Sequence, residues 1–270
     1  MIFEILYKYT VLLGDPLDKA SLVSALRGSE GVFMVTVPVK QPIEVDGELQ
    51  DEVMQGRNII EAAKQNGVKF LVSTSLPSIN KISGGKYKNC FHYEGKAMIE
   101  EHVRSSGIPH AFLHLGAFLE NLWNAQSILK KTSTGFTISV QNQTPQDIEA
   151  FTWVGRQVPA AALALLKSYL VQGDSSVANK TYPLVNEATS YADLARRTGQ
   201  VLGVEVTFTT APESGMAFMD EMYAAHAEYS GLYTDTPVPN PGLLALGVEF
   251  GSIEEFLKHE VKPRFGVDTA

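Results

Sequence analysis

Residues 58–75 read NIIEAAKQNGVKFLVSTS, and the secondary structure changes inside them. The first half closes a long helix, read as roughly 47–66. Gly67 stops it, because glycine enters the left-handed conformation without strain. The second half, Val68 to Ser73, reads as the next buried strand, with Phe70-Leu71-Val72 a short apolar run. Such runs suit strands buried on both faces, as in parallel sheets.

The same unit recurs on either side. Upstream, Val32–Val37 (VFMVTV) is a second continuous apolar strand. It follows a short helix that Asp18 can cap and Gly28 ends, with Leu22, Val23, Ala25 and Leu26 on one face. Before that helix, Ile2–Leu13 reads as a strand leaving through the turn residues Gly14, Asp15 and Pro16. Downstream, the loop 75–90 holds Pro77 and the pair Gly84-Gly85, a candidate flap. It leads to a helix over His92–Ser106 stopped by Gly107, a strand over His110–Leu115 and a helix near 118–129. Strand and helix alternate with short joints, which predicts an α/β fold, a parallel sheet with helices on both faces and right-handed crossovers. After about residue 130 the rhythm loosens. Strands are expected near 136–140, 151–153, 182–185 and 204–209, and helices near 158–169, 191–202, 217–229 and 253–259.

Composition narrows the function classes. The chain has 270 residues, 44% hydrophobic and 19% charged, with a formal net charge of −8. That is a globular composition whose acidity opposes nucleic-acid and membrane-surface binding. The single cysteine, Cys90, excludes an intrachain disulfide. The opening MIFEILYKYTVLLGD reads as a strand and not as a signal peptide, and the expected compartment is the cytoplasm. Cys90 with His92, and His110 with His114, are pairs only, and a zinc site needs three or four ligands. No metal is expected.

Four stretches together resemble the NmrA-like family of atypical short-chain dehydrogenases. They are LLGDPLDKASLVSALRGSEGVFMVTVP (12–38), NIIEAAKQNGVKFLVSTS (58–75), HYEGKAMIEEHVRSSGIPHAFLHLGAFLENL (92–122) and the late YSGLYTD with SIEEFLK (229–235, 252–258). The resemblance implies a Rossmann-like NAD(P)-binding domain over 1–150 and a small α/β substrate-side lobe over 151–270, interleaved with it. It also implies an opening strand, a G-x-x-G-x-x-G loop and a helix ahead of the segment found here. The sequence contains no such loop. The expectation is therefore a parallel sheet incomplete at its N-terminal side, with Ile2–Leu13 pairing directly with Val32–Val37.

Lys96 follows His92 by four residues, so the two share a helix face. Short-chain reductases place a Tyr and a Lys at this spacing. The resemblance therefore implies that Lys96 holds a ribose and His92, in the place of that Tyr, handles the proton. Tyr93 is adjacent but points about 100° away around the helix. Thr74 and Ser75 end a parallel strand, where open α/β sheets bind ligands, and Ser75 can orient a carbonyl. Thr36, Val37 and Pro38 would flank the adenosine, Asp15 would contact adenine, and Gly116 and Phe118 would lie against the nicotinamide. Met216, Phe218, Met219, Met222 and Tyr223 form an apolar stripe, read as packing or as a pocket wall.

Three functions fit these residues. The first is an oxidoreductase using NADP or NAD on a small organic carbonyl or alcohol. The second is a dinucleotide-sensing regulator acting on a protein partner. The third is a cofactor-free isomerase or cyclase.

Overall fold

The computed structural model describes residues 10–37, 51–124, 127–233 and 235–266. Its central sheet has the order β1-β2-β3-β8, all parallel: β1 Gly31–Met34, β2 Phe70–Ser75, β3 His110–Leu115 and β8 Lys180–Leu184. Both faces are covered. Val32, Met34, Leu71 and Phe112 point into one core with α2 (Asp51–Gln65) and α4 (Phe91–Ser106). Their alternates Phe70, Val72, Leu113 and Leu115 meet α5 (Val154–Leu170) on the other face. This two-sided burial fits the apolar triplets Phe70–Val72 of β2 and Ala111–Leu113 of β3. Each large apolar side chain so enclosed contributes about 1.5–3 kcal/mol, and Phe70 also stacks on Tyr169 with ring centroids 4.3 Å apart.

Among the described residues β1 is an edge strand. Phe33, Val35 and Val37 beside it are exposed. The expected pairing of Ile2–Leu13 with Val32–Val37 is corrected where it can be seen. Residues 10–13 are exposed and belong to no strand, and residues 2–9 lie outside the described residues. Asp15 instead closes a turn, its Oδ1 accepting from the Leu17 N–H at 2.8 Å. That turn leads into α1 (Lys19–Ala25), whose N-cap is Asp18 as expected.

Two smaller sheets complete the fold. One joins β4 (Ala117–Phe118), β7 (Ile148–Thr152) and β9 (Glu187–Ser190); the other joins β5 (Leu129–Lys131), β6 (Gly135–Gln141) and β10 (Glu205–Ala211). The helix expected near 118–129 is absent. Leu119–Leu122 makes one 3-10 turn, and Leu129 pairs with Ile138. Leu119, Leu122, Ile128 and Leu129 all reach one core without a continuous helix. That core also takes α6 (Tyr191–Leu202) and α7 (Ala217–Glu228). The loop 75–90 contains a short helix, α3 (Ile79–Ile82), and is pinned at both ends. Ser78 donates to Glu94 at 2.7 Å, and Lys86 and Tyr87 both bond Glu228 of α7. No helix among the described residues is long and apolar enough to cross a membrane.

Candidate functional site

Lys96 lies on α4 beneath the carboxyl end of β1. Gly56 of α2 brings the two helices together, since a Cβ there would stand 2.7 Å from Ile99 of α4. This approach sets Glu52, one turn earlier on α2, against Lys96. Lys96 Nζ donates to Thr36 O at 2.6 Å, Thr36 Oγ1 at 2.9 Å and Glu52 Oε1 at 2.7 Å. Thr36 Oγ1 in turn donates to Glu52 Oε1 at 2.9 Å. An ammonium has three N–H donors, so all three are engaged. Glu52 Oε2 is buried with no hydrogen-bond partner among the described residues. Val37 is fastened next door, its N–H donating to Gln55 Oε1 at 3.3 Å and its carbonyl accepting from Gln55 Nε2 at 2.8 Å. Pro38 lies outside the described residues.

His92 turns toward α7. Its Nε2 lies 3.3 Å from Met222 Sδ, its ring meets Phe218 edge-on at 5.8 Å, and Nδ1 is buried without a partner. Burial, followed by the nearby His226, lowers its pKa to about 4. At neutral pH His92 is therefore an uncharged base. The apolar stripe divides between two tasks. Met219, Met222 and Tyr223 pack into the core, while Met222 and Phe218 also wall in His92.

Thr74 and Ser75 are both buried in β2 and, as neighbours in a strand, face opposite sides. Ser75 is paired in register with His114 of β3, and its hydroxyl is sealed from solvent on the α4 side, beside Glu100. Gly116 packs against backbone: a Cβ would fall 2.3 Å from Ala150 O, and its N–H donates to Thr152 Oγ1 at 2.8 Å. Phe118 packs with the α5 core. Asp15 is exposed in its turn, and no hydrogen bond among the described residues joins it to the Lys96 cluster.

Lys96 and Thr36 would meet a sugar hydroxyl only by releasing a present partner, since the three Lys96 N–H donors and the Thr36 hydroxyl are all engaged. The sequence given contains no G-x-x-G-x-x-G motif. Among the described residues no group of three or more His, Cys, Asp or Glu is placed to hold a metal.

A buried relay was not anticipated. Tyr93 Oη and His226 Nε2 are 2.8 Å apart, and His226 Nδ1 is 2.9 Å from Glu149 Oε2. The three come from α4, α7 and β7 and are almost wholly buried. Burial pushes the Tyr93 hydroxyl well above the ordinary tyrosine range. The available signal was a lone histidine within the apolar pattern of α7, which is not specific enough to find its partners.

A family model described as the NmrA-like family matches residues 8–242. Quinone oxidoreductase 2 of Escherichia coli is 33% identical over 112 residues, covering 42% of this chain and 34% of that protein. An NmrA-like family domain-containing oxidoreductase of Aspergillus flavus is 33% identical over 110 residues, covering 40% and 32%. The chain thus matches about a third of the length of these curated relatives. Two solved structures share the fold. An NADPH-dependent quinone oxidoreductase of Escherichia coli complexed with NADPH gives a TM-score of 0.67 at 22% identity, covering 93% of this chain and 83% of that one. NmrA, a negative transcriptional regulator in complex with NAD, gives 0.72 at 16% identity, covering 95% and 82%.

Proposed function

The chain belongs to the NmrA-like family, and from that premise we propose that it is an NAD(P)-dependent oxidoreductase of a small organic carbonyl or alcohol. The Lys96–Thr36–Glu52 cluster carries the reading. It holds a cation at the carboxyl end of a parallel strand, where open α/β sheets bind their ligands. The similarity to quinone oxidoreductase 2 supports it. On this reading residues 1–150 form the dinucleotide side and residues 151–270 the substrate side, interleaved through β8, in a cytoplasmic protein.

A nicotinamide dinucleotide, when bound, supplies or accepts the hydride. Because every N–H of Lys96 is engaged, a ribose hydroxyl takes the place of one present partner. Thr36 and Val37 then border the adenosine side, and Thr74, Gly116 and Phe118 the nicotinamide side. His92, uncharged at neutral pH, accepts the hydroxyl proton in the alcohol-to-carbonyl direction and is a poor proton source in reverse.

That same environment favours a second reading, dinucleotide sensing without turnover through a protein partner. Oxidation of NADPH by benzoquinone, followed through the nicotinamide absorbance, separates the two. The oxidoreductase turns over, and in the alcohol-to-carbonyl direction, where His92 takes the proton, it is crippled by His92→Ala. A sensor binds the dinucleotide, does not turn it over, and is indifferent to the substitution.

A further inference from the structure

A cleft of about 390 Å³ opens between the β3–β8 edge of the central sheet and the residues Leu232, Tyr233, Asp235, Thr236 and Asn240. His114 of β3 and Thr181 and Pro183 of β8 line one side, and Tyr233, Asp235, Thr236 and Asn240 line the other. Its size is that of a small-molecule site. The Lys96 cluster does not line it.

His114 is held in one orientation. Its Nε2 lies 2.5 Å from Glu100 Oε1, and Glu100 Oε2 accepts from Arg104 at 3.1 Å. Burial pushes the Glu100 carboxyl up, but the bond to His114, with help from Ser75 and Arg104, outweighs it and holds the group below the usual carboxylate range. Glu100 is therefore an acceptor only. In neutral His114 the hydrogen must sit on Nε2, which leaves the lone pair on Nδ1. Nδ1 makes no hydrogen bond among the described residues, and His114 lines the cleft. A carboxylate orienting one imidazole nitrogen while the other meets the ligand is the arrangement of a general base.

The walls say which ligand fits. Thr236 offers a hydroxyl and Asn240 its amide N–H groups to hydroxyls and a carbonyl, while Thr181 Oγ1 accepts from Arg104 at 3.3 Å and Asn240 Oδ1 accepts from the Gly242 and Leu243 N–H groups. Asp235 opposes anions, and no Lys or Arg is among the described lining residues. We propose that this cleft is an acid–base site, independent of any nicotinamide, that binds a small uncharged hydroxy-carbonyl compound and moves its proton through His114. His114 Nδ1 takes the proton from the hydroxyl-bearing carbon next to the carbonyl. The C–H electron pair becomes the carbon–carbon double bond of an enediol, and the former carbonyl oxygen takes a proton from solvent. Return of the proton from Nδ1 to the neighbouring carbon, with loss of the other hydroxyl proton to solvent, moves the carbonyl by one carbon. Nothing is oxidised or reduced overall.

The probe is dihydroxyacetone in deuterated buffer, with full-length protein and no nicotinamide. Proton NMR follows loss of the methylene signal and appearance of glyceraldehyde. The expected rate exceeds that of equimolar free imidazole by about 100-fold, and His114→Gln abolishes the excess while Glu100→Gln reduces it about tenfold. His259→Gln, exposed and remote, leaves it unchanged. Thr236→Arg fills the cleft from its rim with the His114–Glu100 pair intact, so it abolishes the excess without depending on whether His114→Gln folds. Exchange at the free-imidazole rate, or an excess that survives Thr236→Arg, overturns the proposal. Neither outcome bears on dinucleotide binding at Lys96.

Discussion

Tyr93 Oη lies 2.8 Å from His226 Nε2, inside the protein, and the bond ties α4 to α7. Glu149 of β7 completes the chain through His226 Nδ1. Since the carboxylate can only accept, neutral His226 donates from Nδ1 and must receive the Tyr93 hydroxyl at Nε2. The same two helices enclose His92, so the relay fixes the wall of the candidate site.

Tyr93→Phe removes the only hydroxyl that the described residues offer to His226 Nε2 and leaves that nitrogen buried. The expected cost is about 1–3 kcal/mol. Urea unfolding checks it: the midpoint drops with an unchanged slope. A midpoint equal to that of the native protein would show that the relay has no energetic role.

Glu52→Gln replaces the charged partner of Lys96 with a neutral amide. Stability is expected to fall by about 1–3 kcal/mol, since a largely buried cation loses its counter-charge. Under the proposed function dinucleotide affinity rises, because Lys96 is freer to meet a ribose. Weaker dinucleotide binding in a folded variant would mean that Glu52 assists the ligand instead of competing with it.

The pKa of His92 falls from 6.5 to about 4 on folding. Between these values the unfolded chain binds a proton that the folded one refuses. Stability present above pH 6.5 is therefore lost as the pH drops towards about 4, by about 3 kcal/mol from this group. His92→Gln should flatten the pH dependence of the unfolding free energy across that window. Profiles parallel to the native one would show that His92 is not desolvated.

Cys90 is buried and unpaired. Burial first, then Glu221 and Glu94, push its thiol up to about 12. With almost no thiolate at neutral pH, it should resist iodoacetamide in the folded protein and react fully once denatured. Rapid labelling of the native state would contradict this environment.

The sheet was legible because its signal is local. β2 and β3 each carry an apolar triplet, Phe70–Val72 and Ala111–Leu113, and glycines stop the helices that precede each of them. His92 and Lys96 were legible for the same reason, since helical spacing puts them on one face. Their partners were not. Glu52 reaches Lys96 only through the close approach at Gly56 and Ile99, and Tyr93 meets a histidine 133 residues further along. The start of α5 shows the same limit. Glu120 accepts from the Val154 and Gly155 N–H groups across 34 and 35 residues, a cap with no local motif. The misread helix near 118–129 arose because its apolar spacing serves a 3-10 turn and a strand equally well.

If the Lys96 cluster holds a nicotinamide dinucleotide, as proposed, calorimetric titration of the folded chain with NADPH and with NADH shows saturable binding of at least one of them, at one site per chain, weakened by Lys96→Ala. A folded protein that binds neither, or binds equally well without Lys96, contradicts that proposal.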